Sequence, residues 1–228
     1  MDAPPQPLCL LVRVAGEAPA AAAWSPEART SWWSEAFPEA LRDQERAGGR
    51  LLGTWRSDWA SDFQFFFAVE YPDLAALEAG AETLRSAGFF RNVVSSRLLG
   101  QRWKGEPGWD ADRWAAGAPA TLGGVLFYRI SESLYTLTPE QMAARHDRRR
   151  ERLDDGVDRL LAAGGRRIGA YFSEWSSEWH LFVLYEFPHL DALARFNADL
   201  PERHGYIDYD LDYLIGRRMP SDTLIPRM

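Results

Sequence analysis

The sequence predicts an α+β chain made of two copies of one strand–helix–strand–strand–helix–strand unit. Three observations carry that reading. The first is a returning block. Ala47-Gly48-Gly49-Arg50-Leu51-Leu52-Gly53, followed by Trp55, Ser57, Asp58, Trp59, Ser61, Asp62, Phe66, Glu70, Tyr71-Pro72 and Leu74, reappears. The second copy reads Ala163-Gly164-Gly165-Arg166-Arg167-Ile168-Gly169, then Tyr171, Ser173, Glu174, Trp175, Ser177, Glu178, Phe182, Glu186, Phe187-Pro188 and Leu190. The offset is 116 positions throughout, without a gap, and self-similarity at a long fixed period marks a repeated structural unit. The second observation is that the elements follow in the same order in both copies. The third is size: 228 residues, 46% of them hydrophobic, suffice for two cores, each in a domain of about 100 residues.

In copy one, the apolar run Leu8 to Val14 predicts a buried strand. Ser25-Pro26-Glu27 predicts a helix start, with serine as N-cap and proline at the first helical position. That helix extends to about Arg46, where Ala47-Gly48-Gly49 ends it. Pro38 within it predicts a kink or a break. Leu51 to Trp59 and Phe63 to Tyr71 form a hairpin about Ala60-Ser61. Pro72-Asp73 opens a second helix, Leu74 to Ser86, and Val93 to Leu99 is the last strand.

Copy two repeats the order: Val125 to Ile130, a helix capped by Thr138-Pro139-Glu140 and reaching Ala163, Ile168 to Trp175, Trp179 to Phe187, a helix from Leu190 to about Leu200, and Asp208 to Ile215. The predicted domains are 1–100 and 122–228. Between them, 101–121 is a Trp-, Gly- and Pro-rich linker whose Trp103, Trp109 and Trp114 pin it to a domain surface.

Charge and composition exclude several functions. A net charge of −7 argues against nucleic acid, which needs a positive face. The arginine run Arg145 to Arg152 is interleaved with Asp147, Glu151, Asp154 and Asp155, the pattern of a solvated helix face. The lone cysteine, Cys9, forms no disulfide within the chain and no Cys-type zinc cluster. No signal peptide or membrane span is apparent, so a soluble cytoplasmic protein is expected. The expected partner is a small molecule, and the expected state is a monomeric pseudo-dimer or a homodimer.

This element order resembles the ferredoxin-like fold, and two such units in one chain resemble a fused form of the dimeric α/β-barrel superfamily, its units packed sheet to sheet. Ser61-Asp62-Phe63, the strand Phe65 to Tyr71, Pro72-Asp73-Leu74 and Thr83 to Phe90 are also similar to darcynin-like proteins. In its tandem arrangement the chain is similar to chlorite dismutase-like haem proteins, with haem in the C-terminal unit and a proximal histidine on that unit's first helix. Leu137-Thr138-Pro139-Glu140 and the helix bearing His146 carry that likeness. The superfamily resemblance implies a small hydrophobic ligand held between sheet and helices of one unit. It also implies, as the first expectation, cofactor-independent oxygenase, cyclase or isomerase chemistry of the monooxygenase-like kind. The substrate would be an aromatic or polyketide-like compound of secondary metabolism. No cofactor is then needed, and no Soret band on adding haem is expected. A haem-binding oxidoreductase is the alternative, and a non-catalytic binding or structural protein a third reading.

Such chemistry needs a proton-moving group beside a donor for the developing oxyanion. All four histidines lie in copy two, along with most of the tyrosines. The candidates are therefore His180 as general base, Arg129 as anion anchor and Tyr171 as a third catalytic group. Trp175, Tyr185, Tyr128 and His146 are the expected ligand-binding residues. Gln64 stands in copy one where His180 stands in copy two. Arg13 and Arg129 are read as matching places on the first strands, with Glu70 and Glu186 as their carboxylate partners. Asp58/Glu174 and Asp62/Glu178 are read as turn-holding groups rather than metal ligands.

Overall fold

The computed structural model describes residues 6–57, 62–103, 119–130, 136–173, 176, 178–198 and 209–220, with the backbone alone at 22, 130, 145–155, 209 and 210. The chain divides into two compact units, Met1–Arg102 with Ile215–Met228, and Trp103–Leu214.

Unit one opens with β1 (Leu8–Glu17) and a short 3₁₀ turn (Pro19–Ala23). α1 (Pro26–Ser31) follows, capped by the Ser25 side chain, which accepts from the Ala28 N–H. A π-turn (Trp32–Ala36) joins it to α2 (Phe37–Arg46). The break expected at Pro38 takes this form. Proline has no N–H to give the ladder, and the widened turn just before it carries the chain through, with the Phe37 N–H donating to Trp32 O. β2 (Arg50–Arg56), β3 (Phe65–Tyr71), α3 (Leu74–Ser86), α4 (Phe89–Asn92) and β4 (Val93–Arg102) complete the unit. The strands lie in the order β4-β1-β3-β2, and those neighbours pair antiparallel. From Ile215 onward the chain belongs to this unit, where Arg218 and Arg217 pair with Trp55 and Arg56.

Unit two carries β5 (Leu122–Ile130), α5 (Pro139–Ala162), β6 (Arg166–Phe172), β7 (Leu181–Phe187), α6 (Leu190–Ala198) and β8, which begins at Tyr209. Thr138 forms a full capping box with Gln141 at the start of α5. The strand order β6-β7-β5-β8 is that of unit one. Trp103 is pinned as expected, its N–H donating to Ala170 O (2.8 Å) and its ring meeting Phe172 edge-on. Trp109 and Trp114 lie outside the described residues.

Two devices recur in both units. The first is a glycine roofed by an aromatic ring. β2 and β6 each carry a register shift, at Leu51/Gly53 and Arg167/Gly169. A Cβ on Gly53 would lie 2.4 Å from the Trp55 ring, and one on Gly169 2.4 Å from the Tyr171 hydroxyl. Trp55 in turn stacks on Phe66, and Tyr171 on Phe182. The second device is an ion pair. Glu70 takes Arg50 at 2.8 Å and Arg102 at 2.6 Å, and Glu186 takes Arg166 at 2.6 Å.

The ion pair corrects the expected partners. Arg50 and Glu70 are direct cross-strand neighbours, as are Arg166 and Glu186. Arg13 pairs with Phe66, four residues along the ladder from Glu70, a distance of about 13 Å. Its Nε instead donates to Ser96 Oγ, and its guanidinium lies over the Phe63 ring. Nor do Arg13 and Arg129 match. Leu8 pairs with Tyr71 and Leu122 with Phe187, so the first strands are offset by 114 rather than 116, and Phe127 is the counterpart of Arg13.

Between sheet and helices, unit one is filled with rings. Phe37 is fully buried, with Trp32, Trp33, Phe65, Phe67 and Phe89 at centroid distances of 5.2–6.0 Å. Phe37→Ala should cost about 3–5 kcal/mol in denaturant unfolding, because so packed a layer closes up only partly. Leu74→Ala, at a residue 57% exposed, should shift stability by under about 0.5 kcal/mol. Similar small costs at both sites would show that the ring cluster does not carry this core.

Candidate functional site

All seven residues of β7 are buried, so both faces of this strand are covered. Strand alternation assigns them. Tyr185 and Phe187 meet Phe196 of α6 at 5.6 and 5.4 Å, which makes theirs the helix-facing side. Cross-strand pairing puts Gly124, Leu126, Tyr128 and Arg167 on the same side. Phe182, Leu184 and Glu186 face the other way, with Val125, Phe127 and Tyr171.

This division parts the expected site residues. Tyr128 and Tyr185 share the helix-facing side and come together there, the two hydroxyls hydrogen-bonded. Tyr171 lies on the opposite face, fully buried beneath Phe182. Arg129 is exposed, and its guanidinium lies 5.7 Å from the Trp179 ring centroid. Trp179 leans on Phe127 of that opposite face. His180 is half-buried at the hairpin end. Its N–H donates to Tyr128 O and its carbonyl accepts from the Ser173 N–H, each at 2.9 Å. The expected catalytic set and the expected ligand set therefore do not share one side of the sheet. Trp59 and Trp175 lie outside the described residues. His146 sits on α5, where only the backbone is described.

The structure adds two residues to the pair of tyrosines. Arg167 is directly opposite Tyr185 on the ladder and 7% exposed. A buried guanidinium in an apolar layer is rare and needs partners, and its charge acts on the Tyr185 phenol. Tyr213 of β8 also approaches Tyr185. A signal for Arg167 lay in the repeated block, where the second copy has arginine and the first has Leu51. Tyr213 had no such signal, since it depends on which strand lies beside β5.

Among the described residues, unit one has no such cluster at the matching positions. The register makes Leu51 the counterpart of Arg167, Val69 that of Tyr185 and Val14 that of Tyr128. Val14 and Val69 are fully buried. Unit two thus carries three polar groups where unit one packs three aliphatic ones.

An open groove of about 600 Å³ runs along α2 and α3 of unit one, between Glu39, Asp43, Glu82, Thr83 and small residues. Two of its carboxylates, Asp43 and Glu82, are already paired with Arg46 and Arg85 one turn along their own helices. Among the described residues, no three His, Cys, Asp or Glu side chains gather as a metal site.

No family model and no curated protein matches this sequence. Solved structures do match in fold. A doubly substituted chlorite dismutase of Candidatus Nitrospira defluvii superposes with a TM-score of 0.72 at 12% identity, covering 96% of this chain and 93% of that one. The same enzyme in complex with imidazole gives 0.72 and 12%, over 96% and 94%. A putative chlorite dismutase gives 0.70 at 16%, over 95% and 96%. These likenesses are of fold. They agree with the tandem architecture expected from the sequence. No described helix is long and apolar enough to cross a membrane.

Burial is the largest influence on the Tyr185 phenol. It raises Tyr185 above its ordinary value of 10, against the pull of Arg167 and Tyr128. Buried Tyr71 in unit one is raised as well. An acid whose folded pKa is raised binds its proton longer in the folded state, so stability falls as pH climbs past the unfolded value. Folding stability should therefore be full below about pH 10, where unfolded-chain tyrosines begin to ionise, and decline above it. Absorbance titration at 295 nm should show these phenols ionising last, and Tyr185→Phe should flatten the decline. Ionisation of every tyrosine near pH 10 with native circular dichroism would contradict this.

Proposed function

We propose that the chain is a haem-binding oxidoreductase of the chlorite dismutase kind, with the group held on the helix-facing side of unit two. The observation that carries this is the cluster of buried Arg167 and Tyr185 with half-buried Tyr128, set where unit one has Leu51, Val69 and Val14. The fold likeness to chlorite dismutases, one of them solved with imidazole, supports this alternative over the cofactor-independent chemistry ranked first from sequence. The separation of His180, Arg129 and Tyr171 from Tyr128 and Tyr185 points the same way.

The donor set fits the chemistry of haem. A flat apolar body needs apolar walls, and Leu126, Val183, Leu193 and Phe196 are buried in unit two. Carboxylate edges need donors, and Arg167 with two phenols supplies them. Iron takes an imidazole, and α5 carries His146.

Bound there, haem supplies a redox-active iron. The chain's own part is recognition and exclusion of water. Arg167 offers a permanent positive charge and a planar fork of donors. Tyr185 stays protonated through neutral pH because burial raises its pKa, so it remains a donor. Tyr128 shares its hydrogen bond and fixes its hydroxyl.

Titrating haemin into the purified protein should produce a Soret band that saturates at one equivalent, displaced or weakened in His146→Ala. A spectrum identical to free haemin would overturn the haem reading.

A further inference from the structure

We propose that the hairpin end of unit two, on the face away from the helices, binds a small carboxylate anion between the Arg129 guanidinium and the indole N–H of Trp179. This site is separate from the helix-facing cluster and does not rest on haem.

The starting observation is an indole without an acceptor. Trp179 is 7% exposed, and its Nε1 is buried with no hydrogen-bond partner among the described residues. A buried donor left unpaired is costly, and a buried tryptophan usually gives its N–H to a partner. The Trp179 ring lies against Phe127 at 5.5 Å, and the Arg129 guanidinium stands 5.7 Å from its centroid. The orphan donor is thus beside a permanent positive charge. Trp55 of unit one also leaves its N–H unpaired, but that ring is wholly buried and stacked on Phe66. Trp179 differs in lying next to an exposed arginine at the surface.

The register adds two further polar groups. Leu181 pairs with Tyr128 and Phe172, and the backbone bonds of His180 to Tyr128 O and of Ser173 to His180 O carry the ladder one step on. Arg129, His180 and Ser173 therefore stand in one row across three strands, on the face of Phe127, Phe182 and Tyr171. In unit one, Gln64 N–H donates to Val14 O and Ser57 N–H to Gln64 O, each at 2.8 Å, which makes the matching row Ala15, Gln64 and Ser57. A guanidinium also lies over the neighbouring ring there. It belongs to Arg13, which is buried and donates to Ser96 Oγ, and the ring is Phe63, which has no N–H. Unit two instead has Trp179 for Phe63, His180 for Gln64 and exposed Arg129 for Ala15. One fixed charge with neutral donors beside it suits a monoanion. The planar fork of arginine matches the two oxygens of a carboxylate.

The test is an NMR titration of ¹⁵N-labelled protein, without haem, using sodium acetate against sodium chloride at equal ionic strength. The Trp179 indole cross-peak, identified by its loss in Trp179→Phe, should shift saturably with acetate and stay in place with chloride. Arg129→Gln changes an exposed position, and the fold should be intact by circular dichroism. It should weaken acetate binding at least tenfold, as expected for a charge-assisted hydrogen bond. His180→Gln, the residue of unit one, should weaken it several-fold. A Trp179 cross-peak that acetate does not move would overturn the proposal. So would an unchanged acetate midpoint in Arg129→Gln, which would mark binding elsewhere. Should Trp179→Phe fail to fold, sequence-specific assignment of the wild type identifies the peak and the same two outcomes decide. Because no haem is added, neither result bears on the haem reading.

Discussion

In each unit a glutamate, Glu70 or Glu186, sits at the end of the third strand and faces an arginine of the second. The Glu186 side chain is wholly buried and accepts from the Ala120 N–H as well as from Arg166, so removing Arg166 would leave a buried charge less well compensated. That pair, with the glycine roofed by Trp55 or Tyr171 three residues further on, pins the register of the two strands. Register matters because side chains alternate: a slip of one residue would turn every inward group of β6 to the other face. Arg167 stands opposite Tyr185 in the same register that places Arg166 opposite Glu186.

On this shared frame the two units spend their helix-facing layers differently. Unit one fills it with stacked and edge-on rings and adds one buried polar link, the Tyr71 hydroxyl donating to Gln44 Oε1 at 2.6 Å. In unit two, those two positions are Phe187 and Leu160, and polarity moves instead to Tyr128, Arg167 and Tyr185. Arg167, Tyr185 and Tyr128 carry polar groups that the aliphatic side chains at the matching positions lack, and polar groups in an apolar layer need hydrogen-bond partners. The same layer is thus packed with rings in unit one and carries polar groups in unit two.

Much of the fold was legible in sequence, because a gapless repeat carries its own alignment. The order of elements, the serine and threonine caps and the hairpins all followed from local chemistry. The failures fall where the repeat gives no guide. Arg13 and Arg129 seemed equivalent because the offset of the block was extended to the first strands, where pairing sets it two residues shorter. Arginines on the first strands were given to Glu70 and Glu186, although Arg50 and Arg166 are their cross-strand neighbours. Tyr128 and Tyr185 were chosen for their chemistry and do meet, whereas Tyr171 lies on the opposite face and His180 and Arg129 stand at the hairpin end away from that pair. Arg167 was overlooked inside the very block that revealed the repeat, where the exchange for Leu51 was visible.

The central claim is that three polar residues make unit two the binding unit. Its most direct measurement is a haemin titration of a variant carrying Arg167→Leu and Tyr185→Val, the residues of unit one. Both unit-one residues pack in the same layer, so the fold should survive, as judged by circular dichroism. Losing a charged donor and a phenol should weaken binding at least tenfold, as the loss of a charge-assisted hydrogen bond of about 1.5–3 kcal/mol implies. Affinity equal to wild type in the folded variant would contradict the account and place the ligand elsewhere.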